Sequence, residues 1–213
     1  MIDTTTNISD EVQQTSEQLE NLNIEEEKTQ SSGASREDLI SKAILYKEEG
    51  NSFFKQKDYK RALAKYSRVQ CFTNVLIPNK EGDMAMYANL SKKAKDLEVE
   101  GDDKEKIIEL MATTFLNMSI CFFLTGQFSK SVEKATLSIK SKKTIKALYR
   151  RGKAQMARKD YDQAIKDFEE AVRMDPSDPN DIQQEIMQAK RLERESDKQR
   201  QQKMQGFLLK GNE

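Results

Sequence analysis

The sequence predicts an all-α fold: a solenoid of three repeated helix hairpins, closed by one long C-terminal helix. Three observations predict it. Two segments, one starting at Tyr46 and one at Leu148, match each other in register. Gly (8) and Pro (3) are scarce among 213 residues and 34% of the chain is charged, the composition of helices with solvated outer faces. Finally, residues 178–208 carry apolar side chains three to four apart, the period of one helix face.

Residues 1–35 are expected to be a disordered acidic tail. They hold eight acids, one base (Lys28) and no aromatic residue, a pattern of low hydrophobicity and net charge that cannot bury a core. The remaining residues hold 35 bases and 28 acids, so the neutral total conceals a basic domain suited to acidic partners. Ser35 is an N-cap candidate with Asp38 three residues on, close to a capping box, which starts the domain near residue 36.

The repeats occupy 36–176. In the first and third copies Gly50 and Gly152 follow a large apolar residue by four. A turn follows at Lys57-Asp58-Tyr59 and Lys159-Asp160-Tyr161. Ala62 and Ala164, then Tyr66 and Phe168, lie on the second helix. The glycines and alanines let two antiparallel helices approach, and the aromatics are expected to fill the gap between neighbouring hairpins. Asp175-Pro176 stops the third copy, because Pro cannot continue a helix. A weaker middle copy runs from Phe115, with its turn at Gly126-Gln127-Phe128 and Ser119 and Ser131 at the small positions. An insertion of about 35 residues, spanning about 75–105, separates the first two copies. It is expected as lengthened helices around a mobile loop at Asn79–Asp83 or Gly101–Asp103. Residues 177–213 are expected to form a helix that caps the last repeat through Ile182, Ile186, Met187, Ala189 and Leu192. Met84, Met86, Met111 and Met118 are expected as core fillers.

Composition excludes several chemistries. The chain has no His, which removes His-based acid/base catalysis, Ser-His and Cys-His nucleophiles and His-ligated metals. Cys71 and Cys121 are isolated in helical runs and form no metal or redox motif. No cofactor, metal, catalytic residue or small-molecule substrate is therefore expected, and the chain is not read as an enzyme. Bases interleave with acids, so no nucleic-acid groove is expected. No apolar run approaches the roughly 18 residues of a membrane span, and the first residues carry neither a basic end nor an apolar stretch. A cytoplasmic setting, with the nucleus open as well, is the expectation.

The candidate binding residues are polar. Lys47 and Asn51 are i,i+4 on one helix face, as are Lys146 and Arg150, and Asn117 falls on the corresponding face of the middle copy. Two Lys, one Arg and two Asn make a receptor for two neighbouring carboxylates: Lys gives a point charge, Arg a planar fork, and Asn both a donor and an acceptor. Such a set suits capture of a peptide C-terminus. Phe54, Ile120 and Phe123 are candidates for an apolar pocket beside it, with core packing as the competing role.

The quoted repeats resemble the tetratricopeptide repeat, a helix-turn-helix unit of about 34 residues. Lys47, Asn51, Asn117, Lys146 and Arg150 match, position by position, the two-carboxylate clamp of co-chaperone tetratricopeptide domains, and the string KALYRRGKA at 146–154 is typical of them. The long first insertion and the stretch Lys203–Phe207 resemble the C-terminal region of large immunophilins of the FK506-binding and cyclophilin-40-like kind, without the isomerase domain. The resemblance implies an adaptor that binds the acidic C-terminal peptide of heat shock protein 90 or heat shock protein 70. The alternative is a non-catalytic scaffold that uses the groove or the convex face to assemble another complex, the clamp being unused.

Overall fold

A computed structural model describes residues 35–77, 97, 99–177 and 181–210. The acidic tail, most of the insertion with Met84 and Met86, and the side chain of Phe207 lie outside the described residues. Among the described residues seven helices follow in order: α1 (Arg36–Lys55), α2 (Tyr59–Leu76), α3 (Gly101–Leu124), α4 (Phe128–Ser141), α5 (Ile145–Ala157), α6 (Tyr161–Met174) and α7 (Ile182–Lys210). They pack as hairpins α1–α2, α3–α4 and α5–α6. Each hairpin stacks on the next through α2–α3 and α4–α5, and α7 lies on α6.

Local chemistry sets the boundaries. Ser35 and Asp38 form a reciprocal capping box (3.1 and 3.2 Å) at the start of α1, which satisfies N–H groups that have no helical partner. The Asp38 carboxyl lies below its ordinary range because the Ser35 backbone donates to it. All three hairpin turns share one backbone solution. Lys57, Gly126 and Lys159 adopt φ of 61°, 74° and 67°. In each, the following N–H reaches back to the helix: Asp58 to Phe53 O (3.0 Å), Gln127 to Phe122 O (2.8 Å) and Asp160 to Gln155 O (2.9 Å). This is a Schellman end, and it fixes the three copies in one register. The φ values at Lys57 and Lys159 fall where glycine is ordinarily preferred.

Tyr66 lies between the first two hairpins, against Phe115, Met118 and Cys121 of α3, and Phe168 lies between the third hairpin and Ile182 and Ile186 of α7, as expected. Each ring lies on the glycine of its own hairpin, so a Cβ at Gly50 would stand 2.5 Å from Tyr66 Cε1, and one at Gly152 2.5 Å from Phe168 Cε1. Those distances fall far inside van der Waals contact, so only glycine admits the ring there. The middle hairpin joins through hydrogen bonds instead. Ser131 Oγ donates to Ser119 O (2.9 Å), and Ser138 Oγ donates to Ala112 O (2.8 Å).

Three apolar clusters run along the stack. Leu39, Ala43, Val69, Leu76, Val99, Ile107 and Leu110 form the first. Ala62, Tyr66, Phe115, Met118 and Cys121 form the second. Leu148, Ala164, Phe168 and Ala171 form the third, and Ile182 and Ile186 of α7 close it. Ala189 is buried on the same face of α7, whereas Met187 is exposed: it follows Ile186 by one residue and so points about 100° away. A bidentate ion pair adds to the third hairpin: Arg151 donates to Asp167 through Nε (2.8 Å) and Nη2 (2.7 Å).

Two further expectations change. Gly101–Asp103 is the first turn of α3 and not a loop; Asp102 and Asp103 favour that end of the helix dipole, and Lys106 donates to Asp103 (3.0 Å). The chain leaves hairpin one at Leu76 and returns at Val99, whose N–H donates to Leu76 O (3.1 Å). Moreover, α3 contains an 18-residue stretch with at most two charged residues, long and apolar enough by composition to cross a membrane. The expectation that no run approaches that length is corrected. A reason lies in its position: α3 packs against α1, α2, α4 and α5, so it is apolar on several faces.

Candidate functional site

Helices α1, α3 and α5, the first members of the three hairpins, touch one another in sequence. Each candidate residue lies on one of them. Asn51 and Asn117 meet directly: Asn117 Nδ2 donates to Asn51 Oδ1 (3.0 Å) across 66 residues of sequence. The hydroxyl of Tyr66 joins them. It donates to Asn51 Oδ1 (2.8 Å) and accepts from Asn117 Nδ2 at 3.4 Å. Tyr66 is fully buried, and burial, with Cys121 beside it, pushes its phenol up to about 12 against the opposing effect of the Asn117 bond. The hydroxyl therefore stays protonated, and able to donate, at neutral pH.

Lys47 is one turn before Asn51 on α1, and its charge reaches Glu109 of α3. The Glu109 carboxyl lies below its ordinary range, first because Lys142 bonds to it and further because of Lys47. Lys146 and Arg150 stand one turn apart on the exposed side of α5. The guanidinium of Arg150 lies 5.8 Å from the ring of Tyr149.

Many charges of the stack are matched within the chain. Lys65 pairs with Glu49 (2.7 Å), Lys142 with Glu109, Lys143 with Glu170, Arg151 with Asp167 (2.7 Å), Lys153 with Glu185 (2.9 Å) and Lys190 with Glu169 (3.0 Å). Among the described residues, Lys47, Lys146 and Arg150 make no salt bridge. Lys60, Lys140 and Lys166 on the second helices make none either; the candidate three differ in lying on α1 and α5, the first helices that touch α3 with its Asn117. That arrangement can neutralise about two anions and supply neutral donors between them.

The apolar candidates do not assemble in the same way. Phe54 makes an edge contact with Tyr59 (5.7 Å) and packs on the second cluster. Phe123 makes one with Phe128 (5.5 Å). Both rings pack across the turn of their own hairpin. Ile120 is half-buried on α3.

Sequence reasoning missed Tyr66 and the Glu109–Lys142 pair. A signal existed for the first: the copies differ as Tyr66 against Phe168 at one position, and a hydroxyl in a core needs a partner. No local pattern marks the second, which joins residues 33 apart.

Residues 145–178 match the family model of the tetratricopeptide repeat. The fold is that of a tetratricopeptide-repeat domain. The C-terminal tetratricopeptide-containing domain of a putative FK506-binding protein from Plasmodium falciparum is 24% identical, with a TM-score of 0.59 over 77% of this chain and 96% of that one. The second tetratricopeptide domain of human RPAP3, solved in complex with the HSP70 peptide SGPTIEEVD, is 20% identical, with a TM-score of 0.51 over 71% of this chain and 98% of that one. Among curated proteins, the peptidyl-prolyl cis-trans isomerase FKBP4 of Bos taurus is 23% identical over 167 residues, 78% of this chain and 32% of that protein. The repeat domain therefore spans about a third of the length of that relative.

Proposed function

We propose that this repeat domain is a non-catalytic adaptor of the cytoplasm or nucleus. It captures the acidic C-terminal peptide of a heat shock chaperone of the 90 or 70 class. Lys47, Asn51, Asn117, Lys146 and Arg150 hold the two carboxylates at the peptide's last residue. The observation that supports the reading most is the Asn51–Asn117 amide pair (3.0 Å), with Lys47 one turn before it on α1 and Lys146 and Arg150 on α5, the helix that touches α3 on its other side. RPAP3, which has the same fold, binds a peptide ending in Glu-Glu-Val-Asp, and this ligand presents the required pair of anions.

A short peptide buries little apolar surface and loses chain entropy. Its affinity rests on charge-assisted hydrogen bonds, so a dissociation constant near micromolar is expected, about −8 kcal/mol. The test is calorimetric titration with SGPTIEEVD as the free acid and as the C-terminal amide. The acid binds, the amide loses most of the affinity, and Lys146→Ala or Arg150→Ala weakens the acid by about tenfold or more with an unchanged thermal midpoint. Equal binding of acid and amide would overturn the clamp and favour a scaffold that binds elsewhere on the solenoid.

A further inference from the structure

We infer that Tyr66 is a positioning residue of the binding site. Its buried hydroxyl orients the Asn51 amide, so that the Asn51 NH2 group is the one offered to a ligand carboxylate. The inference deepens the clamp reading and, for its effect on affinity, rests on it.

The geometry is specific. Asn51 Oδ1 receives two donors, Tyr66 Oη at 2.8 Å and Asn117 Nδ2 at 3.0 Å. An oxygen with two lone pairs is then saturated. What Asn51 retains for a ligand is Nδ2, a donor, which is the group a carboxylate needs. Asn117 is arranged in the opposite sense: its Nδ2 is engaged inside the network, and Oδ1 remains as an acceptor for a peptide N–H. The hydroxyl can donate or accept, but its short contact (2.8 Å) is to Asn51 and its long one (3.4 Å) to Asn117, so its proton is best placed on Asn51 Oδ1. With the hydroxyl absent, that preference is lost and Asn51 keeps one bond to a partner amide that can itself rotate. Both polarities of the pair would then be populated, and only one of them offers Nδ2.

The third hairpin acts as an internal control. Phe168 covers Gly152 with the same closeness that Tyr66 shows over Gly50, and both are fully buried. Packing on the glycine therefore needs the ring and not the hydroxyl. The residue after Gly152 is Lys153, which pairs with Glu185, and the residue after Gly50 is Asn51. The hydroxyl is present where an amide needs orienting and absent where none does.

The experiment compares Tyr66→Phe with the unaltered chain in three readouts. Titration with SGPTIEEVD is expected to show a loss of about three- to tenfold, the range of one net hydrogen bond, for the free acid and little change for the amide. In an Asn51→Ala background the same substitution should have no further effect, because Tyr66 acts through Asn51. Side-chain amide resonances of Asn51 in the free protein should shift and broaden in Tyr66→Phe. A fall in thermal midpoint with the acid-to-amide ratio and the Asn51 resonances unchanged would reduce Tyr66 to a packing residue and overturn the inference. If the unaltered chain fails to distinguish acid from amide, the clamp reading falls by itself, and the Asn51 resonances still decide whether Tyr66 orients the amide.

Discussion

Replacing Gly152 by Ala would test the packing on which the stack rests. On an exposed helix the change stabilises by about 1 kcal/mol. Here the new Cβ would lie 2.5, 2.8 and 2.9 Å from Cε1, Cζ and Cδ1 of Phe168. Ordinary carbon contacts are about 3.5–4.0 Å, so the ring must retreat by roughly 1 Å. It has no free space to enter: Phe168 is fully buried against Leu148, Ala164 and Ala171, with the Tyr149 ring 5.9 Å away. Overpacking of a core costs roughly 1–3 kcal/mol. The helix gain of about 1 kcal/mol offsets part of it, leaving a net loss of up to about 2 kcal/mol. At about 2–4 °C per kcal/mol for a domain of this size, the thermal midpoint should fall, by up to about 8 °C. Phe168→Leu in the same background makes room and should reverse part of the loss. A midpoint that rises on Gly152→Ala, as it would on a solvated helix, would refute the argument.

Asp167→Ala should cost about 2–4 kcal/mol in a urea titration, because it leaves Arg151 unpaired where the pair is largely buried; Arg151→Met added to it should recover much of the loss. The core acids predict a loss of stability in base. Burial raises Cys121 from 9.0 to about 11 and Tyr66 from 10.0 to about 12, so both stay neutral in the folded state while the unfolded chain ionises them earlier. Their contribution is full below pH 9 and is lost as pH rises toward 12. Urea midpoints across that range should fall less steeply in Cys121→Ala/Tyr66→Phe than in the unaltered chain, and equal slopes would refute the assignment.

Much of the fold was legible in sequence because the hairpin is a local object. Gly50 with Tyr66, and the turns at Lys57-Asp58-Tyr59 and Lys159-Asp160-Tyr161, lie within one helix-turn-helix, where spacing alone determines which faces meet. That Tyr66 and Phe168 pack against the next element was legible; that each ring also lies on the glycine of its own hairpin was not, because only the approach of the two backbones decides it. The start of α3 was misread because Gly101-Asp102-Asp103 has the composition of a turn and also of a helix N-terminus. Asn51 and Asn117 could be assigned to one face each, but their mutual bond depends on how two hairpins stack. The Lys142–Glu109 pair depends on the same stacking, and no periodicity within one helix encodes it.

Packing and binding signatures in this chain are joined at one point. The close contact that demands Gly50 brings the Tyr66 ring against α1, and that ring carries its hydroxyl to the next residue, Asn51. A substitution chosen to disturb the groove there disturbs the core as well. The third hairpin separates the two roles. Phe168 packs on Gly152 without a hydroxyl, and Lys153 turns to Glu185 of α7, which also accepts from Tyr149 Oη at 3.4 Å. An internal carboxylate thus occupies the place on α5 that corresponds to Asn51 on α1. The stack ends its run of open donors by binding one of its own acids.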